Sequence, residues 1–187
     1  MVDYGWPMGP FTLMDFLGLD VCYDVGQYLT AQYGERMRGA IMFEKLVQAG
    51  RLGEKSGAGF YGYGGETDEP VKQMIAEWTG GKRLSEFTPE RLMYPMLNEA
   101  AYAVQENIAD VRDVDMAMIA GTGMTVKGDR VGPLALADRI GLDALVAGLE
   151  ELEKKHGPRF HPAQKLYELV NEGHLGEKTR AGFLEYV

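Results

Sequence analysis

The sequence has 187 residues, with 28 acidic and 19 basic side chains and a net charge of -9 at pH 7. This excess of negative charge argues against nucleic acid and anionic membranes as partners, because both carry negative phosphates. No apolar run approaches the roughly 18 residues that cross a bilayer, the N-terminus lacks a signal-peptide pattern, and a lone cysteine, Cys22, cannot form an internal disulfide. We therefore expect a cytoplasmic globular protein without a membrane contact.

The first 63 residues predict short helices separated by turns. A turn with the sequence WPMGPF opens this part, and an apolar stretch that contains Cys22 follows it. Gly34 and Gly50 mark helix ends, as glycine commonly does. The buried thiol of a structural cysteine is the favoured interpretation of Cys22.

The middle of the chain predicts a linker and then two helices. Glycines and polar residues from Gly64 to Glu69 form the linker, and Val71, Met74, Ile75 and Trp78 then follow helical spacing. The next helix is predicted to begin with Thr88 as N-cap and Pro89 as first residue. Pro95 is expected to bend this helix or to shift its start.

The last part predicts two further helices. An apolar stripe from Leu142 to Leu152 is expected to end at the Gly157-Pro158 pair, and a shorter helix follows from about Pro162 to Asn171. Strand patterns are short and weak throughout. The fold class predicted from these patterns is mainly α.

An internal repeat organises the chain. Residues 9–63 align without a gap onto residues 132–186 at an offset of 123, with matched glycines at matched turns. We therefore predict a first repeat at 1–63, a linker with a short helix at 64–87, and a second repeat at 88–187. The first repeat has no counterpart of the helix that opens the second.

No residue pattern predicts a catalytic group, a metal site or a nucleotide site within this sequence. The GTG and GAG triplets lack the strand, third glycine and helix of a dinucleotide loop, and the three histidines lack metal-like spacing. Ser56 and Ser85 lack the setting of a nucleophile. Asp15 and Asp138 recur in both repeats, and we expect each to cap a helix or to pair with a basic residue rather than to act as an acid or base. Lys55 and Lys178 also recur and are expected to face solvent, although contact with an anionic substrate is the alternative.

The runs VDYGWPMGPFTLMDFLGLD and KLVQAGRLGEKSGAGFYGY closely resemble the C-terminal domain of 3-hydroxyacyl-CoA dehydrogenases. The later runs RLMYPMLNEAAYAVQENIADVRDVDMAM and GPLALADRIGLD resemble the second C-terminal repeat of multifunctional fatty-acid oxidation enzymes. The resemblance implies an all-α tandem repeat of the helical domain that is like the C-terminal domain of 6-phosphogluconate dehydrogenase. It also implies that no Rossmann domain is present in this sequence.

The family oxidises (3S)-3-hydroxyacyl-CoA to 3-oxoacyl-CoA with NAD during β-oxidation. The resemblance implies that NAD binds to an N-terminal Rossmann domain absent from this sequence, so the fragment is expected to be inactive alone. The implied role is to close the acyl-CoA cleft and to make dimer contacts, as a homo-oligomer or an internal pseudo-dimer. An acyl-CoA surface is expected at Trp6, Pro7, Met8, Gly9, Pro10 and Phe11.

Departures from the family pattern suggest that the second repeat is structural. The family's active-site asparagine begins the motif N-R-L-L-x-P-x-x-N-E-A, and Glu90 stands at that position. Gly57 and Tyr61 of the first repeat become Arg180 and Leu184 in the second. Two alternatives remain: a stand-alone helical dimerisation or scaffold module, and a 6-phosphogluconate or hydroxyisobutyrate type of dehydrogenase. The missing first helix is also expected to leave an apolar groove that promotes dimerisation.

Overall fold

The computed structural model describes Val2 and residues 6–82, 87–126 and 128–187. The chain divides into two compact units. We call residues 8–86 the N-terminal unit, and residues 1–7 together with 87–187 the C-terminal unit. Ser85, which the sequence excluded as a nucleophile, lies outside the described residues.

The N-terminal unit contains four helices in its described residues. They are α1 (Pro10–Leu17), α2 (Leu19–Tyr33), α3 (Ile41–Gln48) and α4 (Glu69–Thr79). A 3-10 turn at Gly34–Met37 joins α2 to α3, and a second one lies at Glu54–Ser56. The small buried core of this unit consists of Leu19, Met42, Leu46, Phe60 and Val71.

The C-terminal unit begins with α5 (Glu90–Gln105) and α6 (Val111–Thr122). A hairpin of two-residue strands, β1 (Thr125–Val126) and β2 (Asp129–Arg130), leads to α7 (Pro133–Ile140), α8 (Leu142–His156) and α9 (Gln164–Asn171). Its core is larger, because α5 and α6 pack against α7, and α5 also packs against α8 and α9. Fully buried leucines from four of these helices fill the centre: Leu97, Leu134, Leu142, Leu145, Leu149 and Leu166.

The prediction of an all-α fold is confirmed. In the part of the chain that the structure describes, the only strands are the two of the hairpin. The helices α7, α8 and α9 have the bounds of α1, α2 and α3 shifted by 123 residues. No described helix is long and apolar enough to span a membrane.

Several details of the helices differ from prediction. The helix α5 begins at Glu90 with Pro89 as its N-cap residue, so Thr88 does not cap it with its side chain. Pro95 lies inside α5 and does not shift its start, and α9 begins at Gln164, after Pro162. Pro89 and Pro162 precede the helices that follow them, where a missing N–H is best tolerated, whereas Pro95 is the sixth residue of α5 and leaves one i→i−4 hydrogen bond unmade.

Helices α1 and α2 of the N-terminal unit carry exposed apolar side chains. On α1, Phe16 and Leu17 are 65% and 54% exposed, and on α2, Val25 and Tyr28 are 52% and 66% exposed. The equivalent α7 and α8 of the C-terminal unit are covered by α5 and α6. The helix α5 starts at residue 90, and subtracting the offset of 123 gives no position in this sequence. The helix α5 therefore has no equivalent among residues 1–187.

Candidate functional site

The segment after α3 forms a compact closing turn, which comprises residues 52–63. Its backbone is closed by hydrogen bonds from Gly53 N–H to the Ala58 carbonyl and from Tyr63 N–H to the Gly57 carbonyl. The hydroxyl of Ser56 accepts from Leu52 N–H and donates to carbonyls within the turn. The side chain of Ser56 therefore helps to hold the turn together.

A buried carboxylate from α1 holds this turn. Asp15 is 1% exposed and accepts hydrogen bonds from the N–H groups of Phe60 and Tyr61, at 2.8 and 3.0 Å, and from the Tyr63 hydroxyl at 3.0 Å. Gly59 permits this approach, since a Cβ there would overlap the carboxylate. Asp15 neither caps a helix nor pairs with a basic residue, so that expectation was wrong.

The C-terminal unit repeats the arrangement in a second closing turn, which comprises residues 175–186. Asp138 on α7 is 1% exposed and accepts from Phe183 N–H at 3.0 Å, Leu184 N–H at 2.9 Å and the Tyr186 hydroxyl at 2.9 Å. Gly182 leaves the space for this carboxylate, as Gly59 does in the first unit. The expectation that Asp138 caps a helix or pairs with a basic residue was therefore also wrong, because its partners are N–H groups of a loop and a tyrosine hydroxyl.

The two recurring lysines are paired with aspartates. The Lys55 ammonium binds the Asp20 carboxylate in the first turn of α2, and Lys178 binds Asp143 in the first turn of α8. These ion pairs lower the pKa of Asp20 and of Asp143. Both lysines are exposed, as expected, and each also forms an ion pair that the sequence did not predict. Because all four side chains are partly exposed, each pair contributes modestly to stability.

The closing turns differ at one strained position. Gly57 has a φ of 75° and the equivalent Arg180 has a φ of 59°, a left-handed conformation that an arginine adopts at a cost. We expect Arg180→Gly to raise the free energy of unfolding by about 1 kcal/mol, partly offset by the greater freedom of glycine in the unfolded chain. Urea unfolding measures this change, and Gly57→Arg should lower stability by a similar amount. Equal stabilities for wild type and Arg180→Gly would show that the turn is not strained.

The predicted acyl-CoA surface contains one aromatic cluster in the N-terminal unit. Phe11 stacks on Phe60 with ring centroids 4.4 Å apart, and Phe43 meets Phe60 edge-on at 6.0 Å. Phe11 remains 49% exposed and Met8 37% exposed. No atom lies within 4 Å of a Cβ built on Gly9, and Pro10 is the first residue of α1. An open apolar surface is therefore present at these residues.

Trp6 and Pro7 belong to the C-terminal unit. The Trp6 side chain packs against the core of that unit, and Pro7 is exposed. The buried indole Nε1 of Trp6 has no hydrogen-bond partner among the described residues. Trp6 therefore contributes to packing within this unit.

Sequence reasoning missed two buried polar residues of the C-terminal unit. Asp115 on α6 accepts from Leu134 N–H at 2.7 Å and Ala135 N–H at 3.0 Å, at the first turn of α7. The Asn98 amide on α5 donates to the His161 carbonyl and accepts from Ala163 N–H, both at 2.8 Å. Both residues fix α5 and α6 onto the elements that follow them.

Burial raises the pKa of the Asp115 carboxyl, although its two backbone hydrogen bonds act in the opposite direction. A carboxyl whose pKa is higher in the folded than in the unfolded state contributes most below the unfolded value of about 3.9, and this contribution is lost as pH rises through the folded value. We expect the stability advantage of wild type over Asp115→Asn to be largest near pH 3 and to shrink towards neutral pH. Urea unfolding of wild type and Asp115→Asn at several pH values measures this difference in the free energy of unfolding.

Asp143→Asn is the control for this pH dependence. In the wild type, the pKa of Asp143 is lowered by its ion pair with Lys178. The stability that this carboxylate contributes is therefore present above the unfolded pKa of about 3.9 and is lost as pH falls through the folded pKa. The advantage of wild type over this variant should therefore shrink towards low pH. If the stability difference from wild type changed with pH in the same direction for both variants, the opposite pKa shifts given to Asp115 and Asp143 would be wrong.

The described residues do not fit a dinucleotide. The GTG triplet ends α6 and caps its C-terminus, whereas phosphate binding needs a helix N-terminus after a strand. The described part of the chain holds no group of three His, Cys, Asp or Glu side chains suited to a metal ion. Cys22 is partly exposed, so the expectation of a buried thiol was wrong, although its partial burial raises the pKa of the thiol.

Relatives of the chain are fatty-acid oxidation proteins. The fatty acid oxidation complex subunit alpha of Shewanella halifaxensis (strain HAW-EB4) is 35% identical over 179 residues, which cover 92% of this chain and 25% of that protein. The subunit of the same name from Vibrio vulnificus (strain CMCP6) is 34% identical over 177 residues with the same coverage. The chain therefore spans about a quarter of the length of these curated relatives.

Solved structures also match. The (S)-3-hydroxybutyryl-CoA dehydrogenase of Ralstonia eutropha is 31% identical with a TM-score of 0.51, covering 66% of this chain and 45% of that chain. The 3-hydroxybutyryl-CoA dehydrogenase of Escherichia coli K12 has a TM-score of 0.71 at 21% identity, over 91% of this chain and 53% of that chain. At this identity, the likeness shows a shared fold alone.

The family described as 3-hydroxyacyl-CoA dehydrogenase, C-terminal domain, matches residues 1–63 and 87–186. These two ranges include nearly all the helices of both units and both closing turns. The chain belongs to the family of 3-hydroxyacyl-CoA dehydrogenase C-terminal domains.

Proposed function

We propose that this chain is the substrate-cleft and dimerisation region of an NAD-dependent (3S)-3-hydroxyacyl-CoA dehydrogenase of fatty-acid β-oxidation. The observation that carries the proposal is the family match over both units, because the match identifies each as a C-terminal domain. The relatives are about four times as long, so the catalytic and NAD-binding groups would belong to other parts of the protein. The cytoplasm is the proposed location.

The division of labour within the chain is part of the proposal. We assign a first repeat to 1–63, a linker to 64–87 and a second repeat to 88–187. The first repeat would face the acyl-CoA, and the second would support it structurally, since Arg180 and Leu184 replace Gly57 and Tyr61. The 187-residue chain would not catalyse the reaction alone, because its described residues offer no strand, glycine loop and helix in the order that NAD requires.

Of the residues expected to form an acyl-CoA surface, we propose Met8, Gly9, Pro10 and Phe11 of the N-terminal unit, and this proposal rests on the aromatic cluster. Phe11 offers a half-exposed ring face that is held in place from behind by Phe60. An apolar acyl or pantetheine chain would gain free energy by covering that ring. Pro10 fixes the start of α1, so the ring position is set by a rigid element.

Phe11→Ala in the longer protein tests this surface. Loss of a covered phenylalanine face should raise KM for a medium-chain 3-hydroxyacyl-CoA about tenfold and leave KM for NAD unchanged. Phe16→Ala is the matched control, because Phe16 lies on the same helix and is more exposed. An unchanged KM for the acyl-CoA, or equal effects of the two variants, would contradict the assignment.

A further inference from the structure

A buried arginine lies against the closing turn of the N-terminal unit. Arg51 follows α3 and is 7% exposed. Its Nε donates to the Gly59 carbonyl at 2.8 Å, and its Nη2 donates to the Tyr61 carbonyl at 3.4 Å and to the Thr67 carbonyl at 3.1 Å. Burying a charge costs free energy unless the charge is well hydrogen-bonded. Arg51 therefore stabilises the arrangement in which these three carbonyls face it together.

The peptide group between Gly59 and Phe60 is bound at both of its ends. Its carbonyl accepts from Arg51 at 2.8 Å, and its N–H donates to the Asp15 carboxylate at 2.8 Å. Hydrogen bonds in such a chain polarise one another, and here a cation stands at one end and an anion at the other. The backbone of Phe60 is thus fixed from two directions, by α1 and by the segment that follows α3.

The position of Phe60 determines how the exposed ring of Phe11 is held. The two rings stack with centroids 4.4 Å apart, and Phe60 is 9% exposed whereas Phe11 is 49% exposed. A half-exposed ring has fewer neighbours to fix its orientation, so the buried ring behind it matters more. Arg51 binds the carbonyls of the two residues beside Phe60, and its influence on Phe11 passes through that backbone.

The second closing turn forms without an arginine at this place. The residue equivalent to Arg51 is His174, whose half-exposed ring lies 3.4 Å from the Glu172 carboxylate. The second turn nevertheless has the backbone hydrogen bonds of the first, from the N–H groups of Gly176, Gly182 and Tyr186 to the carbonyls of Ala181, Leu184 and Arg180. The backbone of the turn therefore does not require a guanidinium, and the reason for Arg51 lies in a feature of the first unit.

The exposed aromatic ring is one such feature. Leu134, the equivalent of Phe11, is fully buried, so the second unit has no exposed ring at this place. Phe183, the equivalent of Phe60, is only partly buried in its own unit. The arginine and the exposed ring thus occur in the same unit, and the unit that lacks one of them also lacks the other.

The segment that leads to α4 is a second feature. The Thr67 carbonyl, which Arg51 binds, lies two residues before the first residue of α4. A Cβ built on Gly62 would overlap the Glu66 carbonyl, so this segment lies directly against the closing turn. Arg51 therefore joins the start of α4 to the turn, and both are fixed around one buried cation.

We propose that Arg51 is a positioning residue of the acyl-CoA surface. By binding the carbonyls on both sides of Phe60, it keeps the Phe60 ring where Phe11 stacks on it, so that Phe11 presents its other face to the acyl-CoA. The inference rests on the proposed function, because it assigns a supporting residue to the same surface. Arg51 itself does not touch the substrate, and its loss weakens acyl-CoA binding without changing the chemical step.

Arg51→His in the longer protein is the first test, because it copies the residue at the second turn, which folds. We expect KM for a medium-chain 3-hydroxyacyl-CoA to rise about tenfold, with kcat and KM for NAD unchanged. Arg51→Lys keeps the charge but loses the planar fork, and should raise this KM about threefold. Arg38→His is the matched control, since it makes the same exchange in the same unit at a side chain that is 68% exposed. It should leave KM unchanged.

A double variant tests whether Arg51 acts through the aromatic pair. If it does, Arg51→His should raise KM less than about twofold once Phe11→Ala is present, because the ring that it positions is already gone. Two independent effects would instead multiply to about a hundredfold. Multiplied effects, or equal effects of Arg51→His and the control Arg38→His, would overturn the inference.

The outcomes separate this inference from the proposed function. If Phe11→Ala leaves KM for the acyl-CoA unchanged, the acyl-CoA surface is wrong and the inference falls with it. If Phe11→Ala raises this KM and Arg51→His does not, the inference alone is wrong. Urea unfolding checks that each variant unfolds cooperatively. If Arg51→His does not, Arg51→Lys replaces it in the double variant, and the same outcomes decide.

Discussion

We expect Asp138→Ala to lower the free energy of unfolding of the C-terminal unit by about 3–4 kcal/mol. The reason is that the N–H groups of Phe183 and Leu184 both bind this carboxylate and have no other acceptor among the described residues. The Tyr186 hydroxyl would lose its partner as well. Asp138→Asn keeps one acceptor oxygen and should cost about half as much.

The two tryptophans allow each unit to be measured separately. Trp6 belongs to the C-terminal unit and Trp78 to the N-terminal unit, and the sequence has no other tryptophan. Urea unfolding followed by fluorescence in a Trp78→Phe background reports the effect of Asp138→Ala, and a Trp6→Phe background reports the equivalent Asp15→Ala. Glu185→Ala is the control, since Glu185 is an exposed residue of the same turn. A loss below about 1 kcal/mol would contradict the role given to Asp138.

The second large effect is expected at Asn98. Asn98→Ala should lower the stability of the C-terminal unit by about 3 kcal/mol, because it leaves Ala163 N–H buried without a partner and opens a cavity under α5. Asn98→Asp keeps the acceptor for Ala163 N–H, yet places a charge against the His161 carbonyl, and should be at least as damaging. Urea unfolding in the Trp78→Phe background measures both changes.

Proline substitution provides a comparison between the two units. Ala163→Pro removes an N–H that is bonded to Asn98 and should destabilise the C-terminal unit. Ala40→Pro removes the equivalent N–H, which has no hydrogen-bond partner among the described residues, and should not destabilise the N-terminal unit. Gln105→Ala controls for α5, because Gln105 accepts from Lys165 N–H at the exposed end of the helix. Equal effects of the two prolines would contradict the difference described between the units.

Local signals in the sequence predicted the helices well where glycine ends them. Gly34 follows α2 and Gly157 follows α8. Both have a positive φ, of 67° and 98°, which glycine adopts more easily than other residues. The start of α5 was predicted less well, because Thr88 and Pro89 both favour the first turn of a helix and only the three-dimensional packing decides between them. The hairpin of β1 and β2 was missed, since strands of two residues carry no periodic pattern.

The partners of the buried carboxylates could not be read from local patterns. Asp15 and Tyr63 lie 48 residues apart in the sequence, and the same separation recurs for Asp138 and Tyr186. The only sign of these contacts in the sequence was that the aspartate, the tyrosine and the glycine (Gly59 and Gly182) all recur at the same spacing in both repeats. The pairing of Lys55 with Asp20 recurs in the same way, whereas Asn98 and Asp115 have no second copy in the sequence to draw attention to them.

The most direct test of the proposed function is the NAD-linked oxidation of 3-hydroxybutyryl-CoA, followed by the formation of NADH. The longer protein and the 187-residue chain are compared at equal molar concentration, and binding of the acyl-CoA to each is followed by calorimetry in parallel. We predict NADH formation by the longer protein only, as expected of a region that forms the substrate cleft and assembles the enzyme. NADH formation by the 187-residue chain alone, or none by a folded longer protein that contains an intact NAD-binding domain, would contradict the account.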